Sequence, residues 1–260
     1  MKRMKMNWTY LLAAAALPLM GVMNVNAADS APRTGQHAQT FDQEIRVKLD
    51  YLLYLPADYN KEADKKFPLI LFLHGSGERG SDVNKVKVHG PPKMVEAHPD
   101  AEPAKDFIVV SPQCPTDGWW KADELNALLD DVMARYHVDG DRVYLTGLSM
   151  GGFGTWDMAS KFPKRFAAIA PMCGGGNAGM VRHIKNLPIW VFHGAADHVV
   201  PVQRSDEMVE ALKKAGADVK YTRYPGVDHD CWTRSYANPE LYSWFLSHKR
   251  GEKPGAPGKN

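Results

Sequence analysis

Three side chains, each just past an apolar run, are the ones in this sequence best placed to do chemistry. Ser149 lies in Gly147-Leu148-Ser149-Met150-Gly151, behind the apolar run that starts at Val143 and ahead of a helical pattern of Phe153, Trp156, Met158 and Ala159. Gly-x-Ser-x-Gly in that setting reads as a nucleophile elbow, a strand that turns sharply at the serine and opens into a helix, lifting the hydroxyl clear of the sheet. Gly147 and Gly151 fit because side chains there would collide where strand and helix pass closely. The Met150 N–H then sits at a helix N-terminus, where negative charge is favoured.

A serine hydroxyl needs a base to take its proton, and the base needs a carboxylate to orient it. Ten histidines compete for the base. His229 follows the strand-like segment Val219–Tyr224 and precedes a closing helix over Pro239–His248, the place where the base is expected. His74, His193 and His198 sit in or beside strand ends and read as structural. For the acid, Asp197 competes with Asp228 and Asp230. Residues adjacent in sequence rarely aim their side chains at each other, so Asp197 is preferred.

These groups can converge only if the elements before them are parallel. Phe67–Leu73, Phe107–Pro112, Val143–Leu148, Phe166–Ala170 and Pro188–Gly194 are continuous apolar runs suited to strands buried on both faces. Ala122–Tyr136 and Asp206–Ala215 carry helical apolar stripes, and Met94–His98 suggests a short helix. Ile45–Tyr51 alternates apolar and polar residues as a half-exposed strand does. Strands alternating with helices predict an α/β fold: a mostly parallel central sheet, helices on both faces and no large cap domain. Ligands then bind outside the carboxyl ends of the strands. There, after Phe67–Leu73, lies His74-Gly75-Ser76-Gly77-Glu78-Arg79-Gly80, whose glycines let backbone N–H groups approach a ligand. An oxyanion-hole donor is expected in this loop beside Met150, and Glu78 with Arg79 reads either as a bracing ion pair or as solvated charge. Trp119 and Trp120, in the loop after Phe107–Pro112, and Trp232 are candidate pocket walls, with packing as the alternative for the first two.

A chain of 260 residues, 44% apolar, can bury one large core, and a net charge of +2 gives no reason to expect nucleic acid as a partner. Lys2, Arg3 and Lys5, the apolar stretch Leu11–Met20 and Val25-Asn26-Ala27 make residues 1–27 an expected signal peptide, too short in its apolar part to span a bilayer. Export to the periplasm or the medium follows, with no stable membrane anchor after cleavage. Residues 28–44 read as a leader, 45–249 as the catalytic domain and 250–260 as a disordered tail. The histidines lack zinc-ligand spacing, so neither metal nor cofactor is expected. Cys114, Cys173 and Cys231 all follow strands; two could pair after export, Cys114 with Cys231 for example, although pairing needs close Cα atoms. The sequence is silent on oligomeric state.

Taken together, His74–Gly80, Gly147–Gly152, His193-Gly194-Ala195-Ala196-Asp197 and Asp228-His229 resemble the α/β-hydrolase superfamily over roughly Arg46 to Lys249. The likeness is to its esterase and predicted-peptidase branch, which holds prolyl-oligopeptidase domains, dienelactone hydrolases and feruloyl or polyhydroxybutyrate esterases. That resemblance implies Ser149 as nucleophile, Asp197 as acid, His229 as base, and oxyanion donors at Met150 and the Ser76–Gly77 loop. It implies hydrolysis of a small-molecule or polysaccharide-linked ester, with a serine peptidase as the alternative. The chain departs from prolyl oligopeptidases in having no propeller, and from dienelactone hydrolases in having serine where they have cysteine.

Overall fold

The apolar run after Lys66 becomes the centre of the sheet. Strand β2, Phe67–Leu73, is buried along its whole length. Its side chains alternate between two cores, Leu69, Leu71 and Leu73 entering one and Ile70 and Phe72 the other, as the two-residue period of a strand requires. The computed structural model describes residues 46–61 and 64–251, all within the compact unit Arg46–Asn260. The expected signal peptide and leader lie outside the described residues, as does the tail from 252 onward. Arg250, assigned to that tail, is anchored: its N–H donates to Asp141 O and its guanidinium pairs with the Asp141 carboxylate at 3.0 Å.

The other strands are β1 (Tyr51–Tyr54), β3 (Ile108–Pro112), β4 (Val138–Leu148), β5 (Ala168–Met172), β6 (Ile189–Gly194) and β7 (Val219–Tyr224). They form one sheet in the order β1-β3-β2-β4-β5-β6-β7, parallel except for β1, which runs antiparallel to β3. The strand expected over 45–51 thus begins only at Tyr51. Helices α2 (Ala122–Arg135), α3 (Met150–Lys161) and α4 (Gln203–Lys214) supply one core; α1 (Gly90–Ala97), α5 (Trp232–Tyr236) and α6 (Pro239–Leu246) supply the other. The sequence pattern did not reveal α5, whose single turn is too short to display a period. The chain leaves β2 toward β3 on one side, then returns to place β4 on the other. Strand order therefore reverses between β2 and β4, which is where a crevice opens at the carboxyl edge of a parallel sheet.

Candidate active site

Ser149 occupies that reversal point. It ends β4 and precedes the first turn of α3, with φ 52° and ψ −116°. A non-glycine residue in such a region costs on the order of 1–3 kcal/mol and persists only where its surroundings over-determine it. Here they do. The Ser149 N–H donates to Met172 O, and the serine carbonyl accepts from the Phe153 N–H. The helix then presses against the sheet so closely that a Cβ on Gly151 would lie 1.9 Å from Leu73 O, and one on Gly147 would lie 2.4 Å from Gly151 O. Glycine is obligatory at both positions for that reason.

The Ser149 hydroxyl meets His229 Nε2 at 2.9 Å, and His229 Nδ1 meets Asp197 Oδ2 at 2.7 Å. With Nδ1–H donating to the carboxylate, Nε2 is free to accept from the serine. The structure thus brings together three residues from the ends of β4, β6 and β7. Asp197, with no side-chain exposure, also takes the Val199 and Val200 N–H groups on Oδ1. The rival carboxylates serve the backbone. Asp228 accepts from the His198 and His229 N–H groups, and Asp230 from Thr233 N–H and hydroxyl at the start of α5.

Sequence reasoning missed the part played by His193. Its Nε2 lies 2.9 Å from Val200 O and 3.2 Å from Asp197 Oδ2, two acceptors, so this nitrogen carries the hydrogen. Nδ1 lies 2.7 Å from the Ser205 hydroxyl, which also donates to Gly174 O, and burial lowers the pKa of the ring. A second imidazole thus grips the carboxylate that orients the first. The only sequence signal was a histidine at the end of a buried strand, four residues before the acid.

The loop after β2 runs alongside. His74 is enclosed: its Nε2 accepts from Cys114 N–H, its Nδ1 bonds Gly75 O, and burial lowers its pKa to about 4. It is a neutral brace for loop shape. Ser76 and Gly77 are exposed in a 3-10 turn beyond it, and a Cβ on Gly75 would lie 3.7 Å from Ser149 Cβ, so the loop flanks the hydroxyl. Met150 N–H belongs to the first turn of α3, whose amides have no partner within the helix. Glu78 and Arg79 form neither the ion pair nor the solvated surface expected. Glu78 is buried, while Arg79 donates to Ser76 O and Gly118 O.

The three tryptophans part company. Trp120 is 5% exposed, donates to His74 O and fills the space that Gly154 leaves, so it packs in the core. Trp119 is 56% exposed and meets Phe153, one helical turn beyond Ser149, edge to face. Trp232 stands edge to face against the His229 ring at 5.2 Å. All three cysteines are free. Cys114 belongs to one core layer and Cys231 to the other, which removes the Cys114–Cys231 pairing; the neighbour of Cys231 is Cys173. Cys173, Asp197 and His229 offer atoms within 4.8 Å of one another that could hold a metal ion. Asp197 and His229 are already bonded to each other, and burial raises the Cys173 thiol well above its ordinary range, so the set is poorly suited to a cation.

Comparison with known proteins agrees with this architecture. Residues 116–241 match the Dienelactone hydrolase family. A crystal structure of a thermostable esterase superposes with a TM-score of 0.67 at 36% identity, covering 80% of this chain and 61% of that one. The bifunctional acetylxylan esterase/xylanase XynS20E of Neocallimastix patriciarum is 27% identical over 216 residues, 78% of this chain and 29% of that protein. "Probable feruloyl esterase C" of Aspergillus niger is 25% identical over 200 residues, 75% of this chain and 72% of that protein. The chain thus spans less than two thirds of the length of the first two. A seven-stranded, mostly parallel sheet with helices on both faces is similar to the fold of α/β-hydrolase esterases, and a dienelactone hydrolase family model and esterases are what the chain resembles.

Proposed function

We propose that the protein is an exported serine carboxylesterase that hydrolyses short acyl or aryl esters, feruloyl-type esters included, through Ser149, His229 and Asp197. The observation that carries this reading is the unbroken hydrogen-bonded run from the Ser149 hydroxyl through His229 to Asp197. Esterase names among the relatives support the reaction class, and the acetylxylan and feruloyl names support esters carried by plant polysaccharides. Among the described residues, no helix is long and apolar enough to cross a membrane.

In the cycle we infer, Ser149 Oγ attacks the ester carbonyl as His229 Nε2 takes its proton. Asp197 holds the ring and balances the imidazolium. The tetrahedral oxyanion accepts from the Met150 N–H and from the Ser76–Gly77 loop. Each such donor is worth about 3 kcal/mol in the transition state, roughly a hundredfold in rate. The alcohol leaves with the His229 proton, water gives its proton to the same nitrogen, and the acid is released from Ser149. This route calls on no metal or cofactor. Ser149 and the His229 ring are both partly exposed, which suits soluble substrates.

The experiment is a comparison of 4-nitrophenyl acetate and butyrate with a chromogenic dipeptide. Ester turnover at least a hundredfold above amide turnover is expected. Preferential cleavage of the dipeptide would replace this reading by a serine peptidase.

A further inference from the structure

The loop after β2 supplies oxyanion donors in the cycle above, yet its tip has little of its own to hold it. Ser76 and Gly77 are exposed, and a Cβ on Gly77 would have nothing within 4 Å. They open a 3-10 turn, so their N–H groups have no partner inside it. The turn Ser76–Glu78 is therefore aimed by its flanks. At one flank Gly75 abuts the nucleophile: a Cβ there would lie 3.7 Å from Ser149 Cβ. A misplacement of about 1 Å at such a site can cost about a hundredfold in rate.

The other flank is gripped by one side chain from the neighbouring strand. Gln113 directly follows β3, which pairs with β2, and its own N–H donates to Asp50 O at 2.8 Å. The residue is 3% exposed, and its Nε2 donates to Glu78 O and to Asp82 O, at 2.8 Å each. One amide thus ties together the two ends of the segment 78–82. The amide can lie only this way round, because the opposite orientation would set Oε1 against two carbonyl oxygens. Oε1 itself is enclosed without a hydrogen-bond partner among the described residues. A buried, unpaired amide oxygen is costly. An apolar side chain of similar length would fill the space without that cost, so packing alone does not account for a glutamine here. The loop that Gln113 opens supports the same segment again: Gly80 N–H donates to Cys114 O, Cys114 N–H donates to His74 Nε2, and Arg79 donates to Gly118 O.

We propose that Gln113 is a positioning residue for ester hydrolysis. By holding the carbonyls of Glu78 and Asp82, it fixes where the Ser76 and Gly77 N–H groups stand relative to Ser149. Its effect falls on the transition state and not on substrate binding. This rests on the esterase reading and deepens it. Both side-chain hydrogen bonds of Gln113 go to the loop, so it acts through the loop and not on the reacting atoms.

The test compares the native full chain with two variants of similar side-chain length. Gln113→Met removes both donors, and Gln113→Glu sets a carboxylate oxygen against the two carbonyls. Turnover of 4-nitrophenyl butyrate, inhibition by an alkyl trifluoromethyl ketone and melting temperature are measured for each. Ser149 Oγ adds to the ketone carbon as its proton passes to His229, and the resulting oxyanion sits among the same donors. Gln113→Met should lower kcat by about tenfold to a hundredfold with KM within about twofold, and should weaken the ketone by the factor lost in kcat/KM. Gln113→Glu should lower both further. The melting temperature of Gln113→Met should stay within about 3 °C of the native value. An unchanged kcat overturns the proposal. A change confined to KM overturns it in favour of substrate binding. A lowered melting temperature with ketone affinity unchanged overturns it in favour of packing. Should Gln113→Met not fold, Gln113→Asn, whose amide is too short to reach both carbonyls, is judged by the same criteria. A folded native protein that neither turns over the ester nor takes the ketone removes the esterase reading, and the proposal with it; native turnover that is insensitive to Gln113 removes the proposal alone.

Discussion

At the scale of single residues, the catalytic run depends on which groups hold each carboxylate. Asp197 is held by two backbone amides and two imidazoles, whereas Asp228 and Asp230 hold backbone. Asp197→Asn should therefore lower kcat by about ten-thousandfold, as loss of the orienting carboxylate does in a Ser-His-Asp triad, with Asp228→Asn at least a hundredfold less damaging. Parallel kcat measurements check this; the reverse order would exchange their roles. His193 acts through Asp197. His193→Gln should cost about tenfold in kcat with KM unchanged, because a longer, freer amide grips the carboxylate less well. A change confined to KM would instead place His193 in substrate binding. That Ser149, Asp197 and His229 would meet was legible because a serine between glycines, an acid after a strand and a histidine before the last helix are local signals. The grip of His193 was not, since it depends on how the loop after β6 folds back to bring Val200 and Asp197 onto one ring.

At the scale of elements, the site depends on the close passage of β2, β4 and α3. The strand runs Phe67–Leu73 and Ile189–Gly194 were readable from the sequence because continuous burial leaves an apolar run, and the half-exposed Val219–Tyr224 because of its β-branched and aromatic bias. Two neighbouring elements were not. Helix α5 carries one turn, and Trp120 gave no sign that it would tuck under His74 instead of facing a substrate. Both depend on tertiary packing that no local period records. The close passage itself predicts a stability effect. Gly151→Ala would set a methyl 1.9 Å from Leu73 O, where backbone and not a flexible side chain must yield. A loss of more than about 3 kcal/mol is expected in urea denaturation. A loss below 1 kcal/mol would mean that helix and strand can part without cost.

At the scale of the molecule, one half-buried carboxylate outside the catalytic run ties stability to pH. Glu102 has its pKa raised to about 7, first by burial and then by the neighbouring Asp106. Unfolded, the same group titrates in the ordinary carboxylate range, so between the two values the folded chain binds the extra proton. Stability contributed by this group is therefore full at low pH and is lost as pH rises through about 7. Glu102→Gln should leave the melting temperature little changed near pH 4 and raise it at pH 8, by about 1 kcal/mol after allowance for its partial exposure. Thermal melts across that range check the sign; a gain confined to acid pH would contradict it.

The most direct test of the whole account asks whether the hydroxyl at 149 is the activated one. The folded protein is treated with an aryl organophosphonate, digested, and its peptides weighed. A single adduct on Ser149 is expected in the native chain, with labelling slowed at least a hundredfold in His229→Ala. A folded native protein that takes no label, or takes it on another residue, would contradict the claim that Ser149, His229 and Asp197 work as a unit.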